Sequence, residues 1–205
     1  KVIVSGITAY PRKVNFKKFG AIAKKAGAYH VADVSHIAGL IAAGVHPSPF
    51  PHADVVMTTT HKTLRGPRGA VIFSKRELSE KIDKAVFPGA QGGPHNNITA
   101  AIAAMFQEAL RPGFKTYQRQ IVKNASALAR ALASYGFKFA TGGTENHMIW
   151  VDLTNKGLDG WAAAWALEYA GIIANRQTVP NEKKSPYYPS GLRLGTPSVT
   201  TRGMK

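Results

Sequence analysis

Short apolar runs alternate along the chain with longer stretches of helical spacing. Residues 2–4, Val-Ile-Val, read as a short buried strand. Asn15 is placed to cap a helix whose apolar residues Phe16, Phe19, Ile22 and Ala23 share one face, and Gly27 is placed to end it. Residues 29–34 predict a second strand, which carries Asp33 near its end. Residues 53–60 predict a third, stopping just before His61 and Lys62, and residues 70–74 a fourth. Helical spacing returns over about 96–110 and 114–135. A strand at 147–153, a helix at 158–169 and a strand at 171–175 follow. Residues 177–191 hold Pro180, Pro186 and Pro189 with little periodicity, and predict a loop. Strands alternating with helices predict an α/β fold with a sheet that is at least partly parallel. Arg111-Pro112-Gly113 separates the two longest helical segments, so two domains are expected, 1–110 and 111–205. There is no internal repeat.

Composition narrows the class. The chain has 205 residues, 44% hydrophobic and 19% charged, which suits a packed core rather than disorder. With no cysteine, disulfides and thiolate metal sites are excluded, and a reducing, cytoplasmic setting is expected. The longest apolar stretch, residues 37–45, is too short to span a bilayer, and residues 1–4 have no signal-peptide character. The chain opens on a strand-like run without methionine and stops after Gly203-Met204-Lys205, so a piece of a longer protein is expected. The formal net charge is +16. Its lysines are scattered over helical faces, as at Lys17, Lys18, Lys24 and Lys25, with no arginine-rich arm. A solvated basic surface is therefore expected rather than a nucleic-acid interface, and anionic ligands are drawn to it. His46, His52 and His95 fit no metal-ligand spacing, and no metal is expected.

The chemistry concentrates at the ends of the predicted strands, where ligands of open α/β sheets collect. Asp33, His36, His61 and Lys62 all fall there. A lysine directly after an apolar strand, flanked by hydroxyls and a histidine, suits condensation with an aldehyde. His61, Arg65 and Arg68 would raise the positive potential around it. Asp33 suits either a ligand-facing carboxylate or the cap of the next helix, and His36 would share its face if that turn is helical. Arg193 can grip a carboxylate through two parallel hydrogen bonds. The segment 89–95, Gly-Ala-Gln-Gly-Gly-Pro-His, offers backbone amides to an anion.

Three motifs, in order, carry a family resemblance across nearly the whole chain. Thr-Thr-Thr-His-Lys-Thr-Leu-Arg-Gly-Pro-Arg-Gly at 58–69 resembles the cofactor-lysine signature of serine hydroxymethyltransferases. Asp-Val-Ser-His-Ile-Ala-Gly-Leu at 33–40 resembles the motif preceding it, and Gly-Leu-Arg-Leu-Gly-Thr-Pro at 191–197 the substrate-carboxylate motif. The resemblance implies the fold-type-I architecture of pyridoxal-phosphate (PLP) enzymes: part of a large mixed-sheet domain, then part of an α+β small domain. It implies Lys62 as the PLP lysine and Asp33 as partner of the pyridine nitrogen. Ser35 would lie against the ring and His36 near its phenolic oxygen. Thr8 stands where the family commonly has serine. His61 would serve specificity and proton traffic, with Thr59 and Thr60 hydrogen-bonding at the lysine. Gly92 and Gly93 would reach the PLP phosphate of a neighbouring subunit. Arg193 would hold the substrate carboxylate, and Ser185, Pro186 and Tyr187 would meet tetrahydrofolate. Tyr187 replaces the family's usual phenylalanine, and Gln177 an asparagine that often contacts folate.

The implied reaction is reversible one-carbon transfer between serine and tetrahydrofolate, giving glycine, in a homodimeric or tetrameric parent without membrane association. The family's glutamate acid/base lies outside these residues, so the isolated chain is expected to have little activity. Rival readings are another fold-type-I PLP enzyme, such as a threonine aldolase or a glycine acyltransferase, and a basic nucleic-acid-binding domain.

Overall fold

A computed structural model describes all 205 residues. They form two compact units, Lys1–Ile7 with Val14–Thr116, and Thr8–Lys13 with Tyr117–Lys205.

The first unit is built on a four-stranded sheet in the order β1 (Val2–Gly6), β2 (Tyr29–Asp33), β3 (Val55–Thr59), β4 (Ala70–Ser74). The first three strands are parallel and β4 runs antiparallel to β3, so the sheet is mixed, as expected. Side-chain alternation gives it two unlike faces. Ser5, His30, Ala32, Val56 and Thr58 point to one face and are buried. The helix α1 (Phe16–Lys25) covers that face, with Phe19 stacked on the His30 ring at 5.9 Å. Asn15 caps it as predicted, its side chain accepting from the Lys18 N–H at 2.9 Å. On the opposite face Val31, Asp33, Met57 and Thr59 are half-buried. The register pairs Asp33 with Met57, placing both strand ends at one edge of the sheet. The short α2 (Ala38–Ala42) follows β2, and α3 (Arg76–Lys84) follows β4. A π-helical turn, Ala85–Ala90, leads towards α4 (Asn96–Ala109).

The helix α5 (Pro112–Ser134) begins in the first unit and continues in the second. The second unit carries its own sheet, β5 (Lys138–Phe139), β6 (Met148–Asp152), β8 (Gly191–Gly195), β7 (Asn175–Gln177), in that order and antiparallel throughout. Helices α6 (Gly160–Tyr169) and α7 (Pro197–Thr201) complete it. Its core gathers Ala129, Ile149, Val151, Leu153 and Leu192, all shielded from water. No helix is long and apolar enough to cross a membrane.

Two elements depart from the sequence-based expectation. The strand expected at 171–175 forms instead at Asn175–Gln177, because Gly171 turns the chain with φ +78° and leaves Ile173 in solvent. Helix α3 has no predicted counterpart; its apolar stripe is only Leu78 and Ile82, one turn apart and half-buried, set among charged residues.

Candidate active site

In the first unit, the chain leaving β3 is tied into a tight loop around Lys62. The Thr60 N–H donates to Gly69 O at 3.0 Å, and the Gly66 N–H to Thr60 O at 2.8 Å. The Thr60 hydroxyl donates to Pro67 O at 2.6 Å, and the Arg65 N–H to Lys62 O at 2.9 Å. Arg65 adopts a left-handed backbone, φ +62°, a strain of about 1 kcal/mol for a residue with a side chain. Gly66 is required here: a Cβ would run into Thr60 O and the Met105 sulfur. The half-buried Lys62 side chain meets no hydrogen-bonding or ionic partner.

The loop after β2 adjoins that loop. The Thr63 hydroxyl donates to His36 O at 3.1 Å and accepts from the Gly39 N–H at 3.0 Å. The Ser35 hydroxyl accepts from the Thr59 N–H at 3.0 Å and lies 3.8 Å from the Met57 sulfur. These bonds bring the segments carrying Asp33, Ser35 and His36 against those carrying Thr59, His61 and Lys62. Asp33 Oδ1 accepts from the Ser35 N–H at 2.9 Å, closing a turn, while Oδ2 keeps no partner. Asp33 is not a helix cap: α2 begins after Ile37, which makes no side-chain cap bond. The expectation that Asp33 and His36 share a helical face is corrected, since residues 34–37 form a non-helical turn.

The hydroxyls sort by what they already bond. Thr60 and Ser35 are committed to the protein, and Thr58 donates to Thr59 O at 2.9 Å. Thr60 therefore braces the loop, contrary to the ligand-facing role expected for it. By contrast Thr59 Oγ1 and His61 Nδ1 are buried without a partner. Such groups are rare in native structures and mark places where something else must bond. Burial pushes the His61 imidazole below its ordinary pKa, and the nearby cations Arg68 and Lys62 push it further, so it is neutral near pH 7. Arg65 instead reaches towards Glu108, at 3.9 Å. Gly92 and Gly93 lie in the loop between the π-turn and α4. A Cβ on either would meet nothing within 4 Å, so packing within this chain does not demand glycine there.

In the second unit, Arg193 lies on β8, between Trp150 of β6 and Asn175 of β7. Its Nη1 donates to Thr8 O at 2.8 Å, so Thr8 meets Arg193 through its backbone. Burial pushes the guanidinium pKa downward. One N–H of five is used by Thr8, and the remainder suit a carboxylate. Ser185, Pro186 and Tyr187 lie on an exposed turn, with the Tyr187 N–H donating to Ser185 Oγ at 3.2 Å.

Glu182 organises the loop that carries that turn, a role with no motif to announce it. Its carboxylate accepts from the N–H groups of Val179, Lys184 and Ser190 and from the Ser190 hydroxyl. Burial works to raise its pKa, but these bonds outweigh burial and hold it down to about 2. The folded value lies below the unfolded one. The stabilisation is thus complete above the ordinary glutamate pKa of about 4.3 and is lost as pH falls through the folded value. Glu182→Gln is expected to lower stability by about 1–2 kcal/mol at pH 7, at the low end for charged hydrogen bonds because the group keeps solvent contact. Denaturant melts at pH 7 and pH 2 check this. The gap between variant and wild type should shrink at pH 2, and a gap independent of pH would exclude the charge as its cause.

The comparisons with known proteins agree with one another. The family model described as "Serine hydroxymethyltransferase" matches residues 1–205. A protein of that name from Sorangium cellulosum (strain So ce56) is 59% identical over 204 residues, covering 100% of this chain and 48% of the relative. Its namesake from Acidothermus cellulolyticus (strain ATCC 43068 / DSM 8971 / 11B) is 56% identical over 204 residues, again 100% of this chain and 48% of the relative. The one from Desulfotalea psychrophila (strain LSv54 / DSM 12343) is 55% identical over 203 residues, 99% and 48%. The chain spans about half the length of these curated relatives. A whole-length match to the family model and identities of 55–59% place the chain in the serine hydroxymethyltransferase family.

Proposed function

We propose that the protein of which this chain forms part interconverts serine and glycine with tetrahydrofolate as one-carbon carrier, using PLP held by Lys62. The carrying observation is the set of unspent groups around one sheet edge. An amine at Lys62, one oxygen of Asp33, the Thr59 hydroxyl and a ring nitrogen of His61 all lack partners in the protein. That donor set fits PLP, which offers an aldehyde, a basic ring nitrogen and a phenolic oxygen. Bound there, PLP would supply an electron sink for the substrate α-carbon.

The chain's own residues supply the rest. Lys62 would anchor the cofactor covalently, and Asp33 would keep a positive charge on the ring nitrogen opposite it. Neutral His61, with its depressed pKa, can accept a proton at Nδ1 near pH 7. Ser35 holds the Asp33 loop against β3, and His36 sits in that loop. Gly92 and Gly93 would admit a phosphate close to the backbone, as part of a homo-oligomer. Arg193 would orient the substrate carboxylate. Ser185, Pro186 and Tyr187 would meet folate on the loop that Glu182 shapes. The first unit would belong to the PLP-binding domain and the second to the small domain.

The test is serine turnover by the full-length protein, with and without tetrahydrofolate, beside its PLP absorbance. Glycine formation coupled to one-carbon transfer onto tetrahydrofolate and a visible cofactor band are expected; turnover indifferent to folate would point to an aldolase instead. Arg193→Lys should raise KM for serine about 10–100-fold with a smaller change in kcat, since lysine cannot form the paired hydrogen bonds. Steady-state kinetics across serine concentrations separates the two parameters.

A further inference from the structure

We infer an oxyanion site in the second unit, a small cavity between α5 and the turn after β5 that takes phosphate or a phosphate monoester on Arg12 and Arg130. Every residue lining it belongs to the second unit, so it is separate from the groups gathered at Lys62.

Helix α5 forms one wall. Ser126, Ala129, Arg130 and Ala133 follow the three- and four-residue spacing of a single helical face. Arg130 Nη1 donates to the Ser126 hydroxyl one turn back, at 2.7 Å, which holds the guanidinium along that face. The other wall is the turn at 141–144 with Arg12 laid over it. Arg12 Nε and Nη2 both donate to Thr141 O, at 3.0 and 2.5 Å, so this guanidinium is fixed before any ligand arrives. Gly142 and Gly143 carry φ of +68° and +139°, and a Cβ built on either would stand 3.5 Å from Arg12 Nη2. The turn and the guanidinium are therefore in direct contact.

Donors here lack acceptors. Arg12 spends two of its five N–H groups on Thr141 O, and Arg130 spends one on Ser126. The backbone N–H groups of Gly143 and Thr144, both half-buried, donate to nothing in the protein. No carboxylate lines the cavity, and the neighbouring Glu145 accepts from the Lys13 N–H at 3.1 Å instead. Two guanidinium groups thus face one space without a counter-charge. The space measures 240 Å³, below the range of about 300–1,000 Å³ for drug-sized ligands, and suits a compact ion. A carboxylate brings one charge and two oxygens. A phosphate ester brings a charge of about −1.5 to −2 near pH 7 and three strong acceptor oxygens, which matches two guanidinium forks. A chain of net charge +16 favours such an anion at long range.

Equilibrium dialysis of the PLP-loaded full-length protein against labelled inorganic phosphate tests the site. One saturable class is expected, displaced by sulfate and at least about 10-fold more weakly by acetate. Glycerol phosphate is the competing arm. Displacement at lower concentration than unlabelled phosphate assigns the site to a phosphate ester, and displacement at higher concentration assigns it to the free ion. Arg130→Gln, at an exposed position, should weaken phosphate about 10-fold or more. Serine turnover by that variant in phosphate-free buffer should stay at the wild-type rate. Lys24→Gln removes one exposed charge from α1 and should leave phosphate binding unchanged. The inference is overturned if no saturable class is found, if acetate competes as well as sulfate, or if Arg130→Gln weakens binding no more than Lys24→Gln, since a diffuse positive surface would then account for it.

Discussion

Replacing Lys62 by alanine in the full-length protein is expected to abolish borohydride-stable attachment of PLP and to cut serine turnover about 1,000-fold or more. The size follows from what is lost. The amine is the group that would bond the cofactor covalently, and no other lysine stands between Thr58 and Ser74 to take its place. The change should leave the fold intact, because the Lys62 side chain is half-buried and makes no hydrogen bond or ion pair. The loop around it is held by Thr60, Gly66 and the backbone of Arg65, none of which the substitution touches. Lys62→Arg separates chemistry from charge. Arginine keeps the positive charge near His61 but cannot condense with an aldehyde under working conditions. If Lys62→Arg retained turnover within about tenfold of wild type, covalent anchoring at this position would be excluded.

The strand ends that carry Asp33 and Lys62 were legible because short apolar runs stop abruptly at polar residues there. Periodicity also located α1 and its cap; of the expected apolar face, Phe16 and Ala23 are buried and Phe19 half-buried, while Ile22 stays in solvent. The same reliance on long apolar patterns missed α3, whose apolar face is the single pair Leu78 and Ile82, half-buried, beside an exposed Lys84–Glu80 pair at 2.9 Å. It also misplaced β7. Ile172 and Ile173 suggested a strand, yet the segment that pairs with the outer side of β8 is the polar Asn175–Gln177, held by backbone bonds that carry no side-chain signature. At the site, sequence could nominate hydroxyls but not say which were spent. Thr58, Thr59 and Thr60 look alike in the motif. Strand alternation and a carbonyl seven residues away, at Pro67, make Thr60 a brace and leave Thr59 open. Glu182 was invisible for a similar reason, since its partners at Val179, Lys184 and Ser190 converge only once the loop has folded.

Asp33→Asn should lower turnover about 100- to 1,000-fold while changing stability by less than about 1 kcal/mol. Asparagine keeps the shape of the side chain, and its carbonyl can still accept from the Ser35 N–H, so the turn after β2 is preserved. What disappears is the negative charge on an oxygen that bonds nothing in the protein. If that charge keeps the cofactor's ring nitrogen protonated, its removal weakens the electron sink and raises the barrier at the α-carbon, whereas serine binding through Arg193 is left alone. The loss should therefore fall on kcat more than on KM. Asp33→Ala adds the loss of the turn bond and should destabilise the fold by about 1 kcal/mol more than Asp33→Asn. Thermal melts of the two variants, set beside their rates, distinguish the roles: a purely structural Asp33 would leave the asparagine variant nearly fully active and the alanine variant impaired in proportion to its lost stability.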